Sequence, residues 1–278
     1  MSSFLPRAVQ GDRPPSPGEL IRHADEPVGR GLGRFQDTLA QGGLDLVQPF
    51  SLAALSALKV EHPRFSSHRP NQLGVVVGNT SALWGAFLRH LRGLGVRSAN
   101  ELGPDPLDIY VEELVSAALS DLLESCAVRG AAVFSHELLP APIPIQRIAE
   151  MSGLGRVGPA HLSIHPRLGP WWALRAVIAL ELPASAGAHF QTEPSGRHPC
   201  EGCAAPCRRA LSGALLGRDM SSGDERDLPP APTGLSDKQR RWLRVRDACP
   251  SGRQHRYSDA QILYHYDGRK DALFGKAK

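Results

Sequence analysis

The chain has 278 residues, 41% of them hydrophobic, enough for one large domain or one domain with an appendage. No stretch approaches the roughly 20 apolar residues of a membrane span. The opening "MSSFLPRAVQGDRPPSPGEL" lacks the continuous apolar run of a signal peptide, so a cytoplasmic location and no membrane are expected. The net charge is only +4, from 32 basic and 28 acidic residues, and just five of the basic residues are lysine. That arginine excess fits either bidentate anion recognition or genomic base composition. Residues 236–278 hold eleven basic and five acidic side chains but no nucleic-acid motif, and nucleic acid is not expected as a partner.

In chain order, residues 1–17 read as a disordered leader, rich in Pro and Gly. "LGVVVG" (Leu73 to Gly78) is a strand-like apolar run. After it Leu83, Ala86, Phe87, His90, Leu91 and Leu94 recur at helical spacing, with Thr80 or Ser81 as cap and Gly95 as stop. The clearest helix is "DPLDIYVEELVSAALSDLLESCAVRG". Asp105 is the expected N-cap, Pro106 suits the first turn, Asp108 favours the positive end of the dipole, and Gly130 closes the element. Cys126 lies near its apolar stripe and reads as a core thiol. "AAVFS" is a strand and "PIPIQRIAEMSG" a loop running into a short helix. "HLSIH" and "WWALRAVIALEL" are expected as two strands of an antiparallel hairpin.

Past Leu182 the chain becomes loop-rich. Ser236-x-x-Gln239 and Ser258-x-x-Gln261 then announce two short helices packing back on the main domain. The expected organisation is a leader over 1–17, an α+β domain over 18–183, and a Cys-containing segment over 184–278.

Gly153-x-Gly155-x-x-Gly158 has the spacing of a dinucleotide fingerprint, but the order around it is inverted. A helical segment precedes it and a strand follows, and no acidic strand end comes about 20 residues later. The glycines are better read as a helix C-cap at Gly153, with Gly155 and Gly158 adopting positive φ, or as bare backbone beside a flat ligand.

Three further groups stand out. Arg175 sits inside an apolar strand, where burial requires a partner: an internal carboxylate or a ligand anion. Trp171 and Trp172 must face opposite sides, one toward the core and the other free to stack on a ring system. The five cysteines form no disulfide framework. Cys200-x2-Cys203-x3-Cys207, with Cys249 before Pro250, supplies four thiolates for Zn²⁺ or a 4Fe-4S cluster, or else a set of inert loop thiols.

"PIQRIAEMSGLGRVG…HLSIHPRLGPWWALRAVIAL" resembles the central motif of CblC-type cobalamin-processing proteins, which remove the upper-axial cyano or alkyl group of vitamin B12. The likeness runs well over residues 44–183 and more loosely over 244–272, through "RYSDAQILYHY". "IHPR-x-G-x-W" is its most specific piece. The "GLGRVG…P-x-x-G-x-W" core is also similar to the cobalamin domain of epoxyqueuosine reductases, and the first three cysteines resemble, in degraded form, the cluster run that follows that domain.

The resemblance implies a modified nitroreductase-like (flavin reductase-like) α+β fold with an antiparallel sheet and flanking helices. It also implies cobalamin held with its benzimidazole off the cobalt, and reduced flavin (FAD or FMN) or glutathione as co-reactant. Arg175, Arg246 and Arg269 match the family's arginines that fork the thiol's carboxylates. Ile143, Pro144, Ile145 and Gln146 match the corrin-lining loop, with Ser163, Leu174 and His136 facing the same ligand. A cobalamin-trafficking protein partner is implied, and a homodimer is left open. Glu150 stands where the family carries a helical His, which puts that His's role in doubt here. His161 and His165 are nearby polar candidates, with His165 most simply a turn residue. Two rivals to upper-ligand removal remain: a cobalamin-dependent reductase of another substrate, and a cobalamin chaperone without turnover.

Overall fold

The computed structural model describes residues 17–192, 196–219 and 227–275, with the side chains of residues 17–26 left undescribed. The expected leader therefore lies outside the described residues except for Pro17, which opens helix α1 (Pro17–Gln41). Strand β1 (Leu46–Ser51), the short α2 (Ala53–Ala57), β2 (Gln72–Asn79), α3 (Ala82–Gly93), α4 (Pro106–Cys126), β3 (Gly130–Phe134) and α5 (Ile145–Ser152) follow. The two-residue strands β4 (Arg156–Val157) and β5 (Ser163–Ile164) precede the long β6 (Ala173–Pro183). Helices α6 (Pro206–Leu215), α7 (Asp237–Asp247) and α8 (Asp259–Asp267) complete the chain.

The main sheet has the order β1-β2-β6-β3, and every neighbouring pair is antiparallel. β6 is thus a central strand, paired with β2 on one side and β3 on the other. The alternation of a strand sends successive side chains to opposite faces. Val75 and Val77 of β2 and Ile178 and Leu180 of β6 pack on one face against Phe35 and Leu39 of α1, Phe87 of α3, and Val111 and Val115 of α4. Val76, Val177 and Ala179 turn to the other face, against Leu55 of α2 and Ile148 of α5. "LGVVVG" is apolar without alternation because both of its faces are covered.

The structure corrects several local expectations. "HLSIH" does not form a hairpin with β6. Its Ser163 and Ile164 pair instead with Val157 and Arg156 in a separate two-stranded sheet, and His165 bridges only Gly169. Asp105 adopts a left-handed conformation (φ 43°), and its side chain makes no capping bond. Helix α4 ends not at Gly130 but at Ala127, also left-handed (φ 50°), and Gly130 starts β3. Thr80, not Ser81, supplies the side-chain acceptor at the start of α3, taking the Ala82 N–H at 3.1 Å. Cys126 is half-buried, packed on the edge of the first core.

Gly153 is the left-handed C-cap of α5 (φ 82°), as its spacing predicts. Gly155 and Gly158 are not among the positive-φ residues. They are glycine for closeness: a Cβ at Gly155 would stand 2.6 Å from the Trp172 ring, and one at Gly158 would stand 2.8 Å from Ile164. Trp172 and Trp171 are 2% and 1% exposed, so neither offers a bare ring to a ligand, contrary to the stacking expectation. Trp172 fills the second face's core. Trp171 belongs to a cluster with Leu243, Tyr257 and Ile262, which seats α7 and α8 on the sheet domain.

Candidate functional site

Two neighbouring places are built around the start of β6. The first is a cavity of about 340 Å³ between the N-terminus of α4, β6 and α8, lined among others by Asp108, Arg175, Tyr264, His265 and Lys270. Arg175 follows Leu174, the partner of Gly78 near the end of β2. Its side chain therefore meets Asn79, the last residue of β2, and the first turn of α4. Nε donates to Asn79 Oδ1 at 2.7 Å, and Nη1 lies 3.4 Å from Asp108 Oδ1. Burial lowers the guanidinium's pKa from its ordinary value, while Asp108 opposes that shift. The internal-carboxylate partner and the cavity wall are thus both real, and one arginine occupies both roles.

Asp108 is shared. His136 Nδ1 lies 3.9 Å from the same Oδ1, and its Nε2 contacts Glu112 at 2.5 Å. His136 also stacks on Phe134, with centroids 5.8 Å apart. The chain Arg175, Asp108, His136, Glu112 forms a polar rim leading out from the buried end of β6.

On the opposite wall stands His265, which the sequence reading did not single out. Burial, and then the positive charges of Arg175 and Arg246, push its imidazole down to about 3, so it is neutral at ordinary pH. Tyr264, beside it, packs on Trp84 at 5.3 Å, and its hydroxyl accepts the Leu107 N–H at 3.4 Å. Arg246 of α7 lies over the rings of Trp171 and Tyr257, at 5.6 Å from each centroid. The charges of Arg175 and Arg246 thus both act on His265, although of the two only Arg175 lines the cavity. The structure places Arg269 elsewhere: that guanidinium is bound to Asp271 at 2.7 Å and does not line the cavity.

The second place is the loop before α5. Ile143 is buried, and it shares the second core with Trp172, with Ile145 and Leu174 packed against it. A cavity of about 230 Å³ lies between this loop, including Ile143 and Pro144, and the segment from Leu58 to His62. Gln146 is exposed, and its Nε2 donates to the His161 carbonyl at 3.3 Å. The Ser163 carbonyl accepts from Trp172 Nε1 at 2.9 Å, while the Ser163 hydroxyl is buried with no partner among the described residues. His165 is buried, and its Nδ1 accepts the backbone N–H groups of Arg167 and Leu168, as a turn residue does. Glu150 pairs with Arg147 at 2.7 Å and approaches Arg156 at 3.8 Å.

Asn79 and His265 were the residues missed. A fully buried asparagine at the end of an apolar strand was the available signal for the first, since a buried amide needs partners. His265 had none, because its burial depends on how α8 docks. The cysteines are free, with Cys207 and Cys249 buried and Cys200 and Cys203 half-buried. Among the described residues no three His, Cys, Asp or Glu side chains are already grouped as metal ligands. No described helix is long and apolar enough to cross a membrane.

No family model matches the chain. A Danio rerio protein named cyanocobalamin reductase / alkylcobalamin dealkylase is 26% identical to it over 240 residues, covering 79% of this chain and 90% of that protein. The fold is similar to the crystal structure of a C. elegans B12-trafficking protein, CblC, described as a human MMACHC homologue. The TM-score is 0.60 at 14% identity, over 91% of this chain and 96% of the other. That second likeness carries the fold.

Proposed function

Taking these likenesses as support for a CblC-type protein, we propose that the chain binds cobalamin and removes its upper-axial ligand. The reaction is reductive decyanation or thiol-dependent dealkylation, carried out in the cytoplasm on a modified nitroreductase-like fold. The observation that carries the reading is the match to a named cobalamin reductase and dealkylase along nine-tenths of that protein's length. The site chemistry is compatible with it. The orphaned Ser163 hydroxyl of β5 and the exposed Gln146 amide in the first turn of α5, which donates to the nearby His161 carbonyl, suit the acetamide rim of a corrin. Ile143, Ile145 and Leu174, which pack in one apolar cluster, supply an apolar surface for it.

The cobalt of the substrate is the reactive centre, and the chain's own residues bind and orient around it. Arg175, held in place by Asn79 and Asp108, presents fixed positive charge to a carboxylate-bearing thiol such as glutathione. Arg246, stiffened by Trp171 and Tyr257, is the second anchor. His265 stays neutral between them, so it adds no third positive charge and can only donate or accept a hydrogen bond. Reduced FAD or FMN is the electron donor in the decyanation branch, and a trafficking protein receives the product. Neither cavity alone matches cobalamin, which exceeds the drug-sized ligands that fill pockets of about 300–1,000 Å³. The ligand therefore extends beyond either cavity into the open side.

The test is an absorbance titration with cyanocobalamin and methylcobalamin, followed by reduced flavin or glutathione. Binding shifts the cobalamin bands, and the added reductant or thiol converts them to those of the dealkylated cofactor. Arg175→Ala retains binding and loses thiol-dependent conversion by on the order of 100-fold, the loss expected when an orienting fork is removed. An unchanged spectrum on mixing rejects the function. Tight binding without conversion by either co-reactant reduces it to carriage.

A further inference from the structure

None of the five thiols plays a part in the proposed function, yet the fold gathers four of them from three separate elements. Cys200 and Cys203 share a tight turn, closed by the Cys203 N–H on the Cys200 carbonyl at 3.3 Å and passing through left-handed Gly202 (φ 76°). The Cys200 sulfur lies 3.5 Å from where a Cβ on Gly158 would stand. Two residues beyond Gly158, Ala160 packs in one buried cluster with Cys207 of α6 and with Val245 and Ala248 at the end of α7. Cys249 follows Ala248 and is itself buried. Every pair among the four is close enough for their charges to interact.

The Ala205 N–H donates to the Cys203 sulfur at 3.4 Å. Cys207 sits in the first turn of α6, at the positive end of the helix dipole. Donors on sulfur favour the ionised form and orient it, which is the usual support around a metal ligand.

We propose that Cys200, Cys203, Cys207 and Cys249 bind a single Zn²⁺ ion, which ties the Gly158 loop, α6 and the end of α7 together. Four thiolates make a closed tetrahedral site of the structural type. Among the described residues the four sulfurs are not grouped at coordinating separation, so binding requires their side chains to reorient on the ion. Zinc is favoured over an iron–sulfur cluster because the spacing of x2 then x3 departs from the x2, x2, x3 of cluster runs. The small residues Ala160 and Ala248 also pack close around it. Zn²⁺ takes cysteine as thiolate, so binding releases thiol protons into solvent.

The test uses the full chain, stripped of metal under reducing conditions and titrated with Co²⁺ and then Zn²⁺. Intense sulfur-to-cobalt absorption saturating at one equivalent, abolished by Zn²⁺ and accompanied by proton release, is the expected result. Cys203→Ser, at a half-buried position, weakens Zn²⁺ binding by on the order of 100-fold or more. Cys126→Ser leaves it unchanged, and circular dichroism verifies that both variants fold. Absence of saturable binding, or equal binding by Cys203→Ser, overturns the site. Iron with acid-labile sulfide in the purified protein overturns the zinc assignment in favour of a cluster. None of these readouts depends on cobalamin.

Discussion

The sheet domain and the segment after Pro183 are held together in different ways. In the first, both faces of β2 and β6 are covered by large apolar side chains from α1, α3, α4 and α5. In the second, the apolar clusters are small, and a buried carboxylate does much of the joining. Asp247 is fully buried between Arg244 and Arg256, with contacts of 3.4 and 2.8 Å. Burial raises its pKa against the pull of the two arginines, so its charge is held at a cost. Apolar burial tolerates local error, whereas a desolvated ion pair fails as a unit when one member goes. The C-terminal segment should therefore be the more brittle region.

Asp247→Ala sharpens this contrast most. It removes the buried carboxylate that Arg244 and Arg256 share, leaving Arg256 with Asp259 and Arg244 with the Pro229 carbonyl, and should cost about 3 kcal/mol in denaturant unfolding. Hydrogen exchange should show the loss in α7 and α8, with β2 and β6 retaining their protection. A uniform loss would show the two regions to be one cooperative unit. Ile178→Ala, in the central strand, should cost about 2–5 kcal/mol by cavity formation and lower protection throughout.

His265 gives the contrast a pH dependence. Its imidazole is neutral in the folded chain down to about 3, but takes a proton in the unfolded chain below its ordinary 6.5. The unfolded state therefore binds more protons in that window, and stability falls as pH drops from about 6.5 toward 3, by up to about 1.4 kcal/mol per pH unit. Thermal melts of His265→Gln across that range should be flatter than those of the parent. The smallest effect belongs to Ser236→Ala. It removes a reciprocal capping box at the start of α7 and should cost about 1 kcal/mol, read as a shift in midpoint at constant slope.

The legible parts of the fold were those governed by local rules. β2, α4, α5 and the two capped C-terminal helices follow from periodicity and caps. β1 escaped because Pro49 interrupts its run, and the structure shows why proline is tolerated: β1 is an edge strand, paired only with β2. α1 carries Pro27 inside it and was hidden for a similar reason. The hairpin was misread because sequence adjacency favours pairing neighbours, whereas β6 reaches back across the chain to lie between β2 and β3. At the site, Arg175 was conspicuous as a charge in an apolar run. Its partners Asn79 and Asp108 come from 96 and 67 residues away, and no local pattern announces such a meeting.

The seating of α8 across the mouth of the sheet has one more consequence. The compositional break after Leu182 looks like a natural place to trim the protein. A chain cut there would keep its four strands, yet it would lose Arg246, Tyr264 and His265 together and leave Trp171 bare to water. What reads as an appendage supplies Tyr264, His265, Gly268 and Lys270 to the lining of the cavity beside Arg175, and a piece made to test the proposed activity must run at least to Leu273, which still packs into the first core.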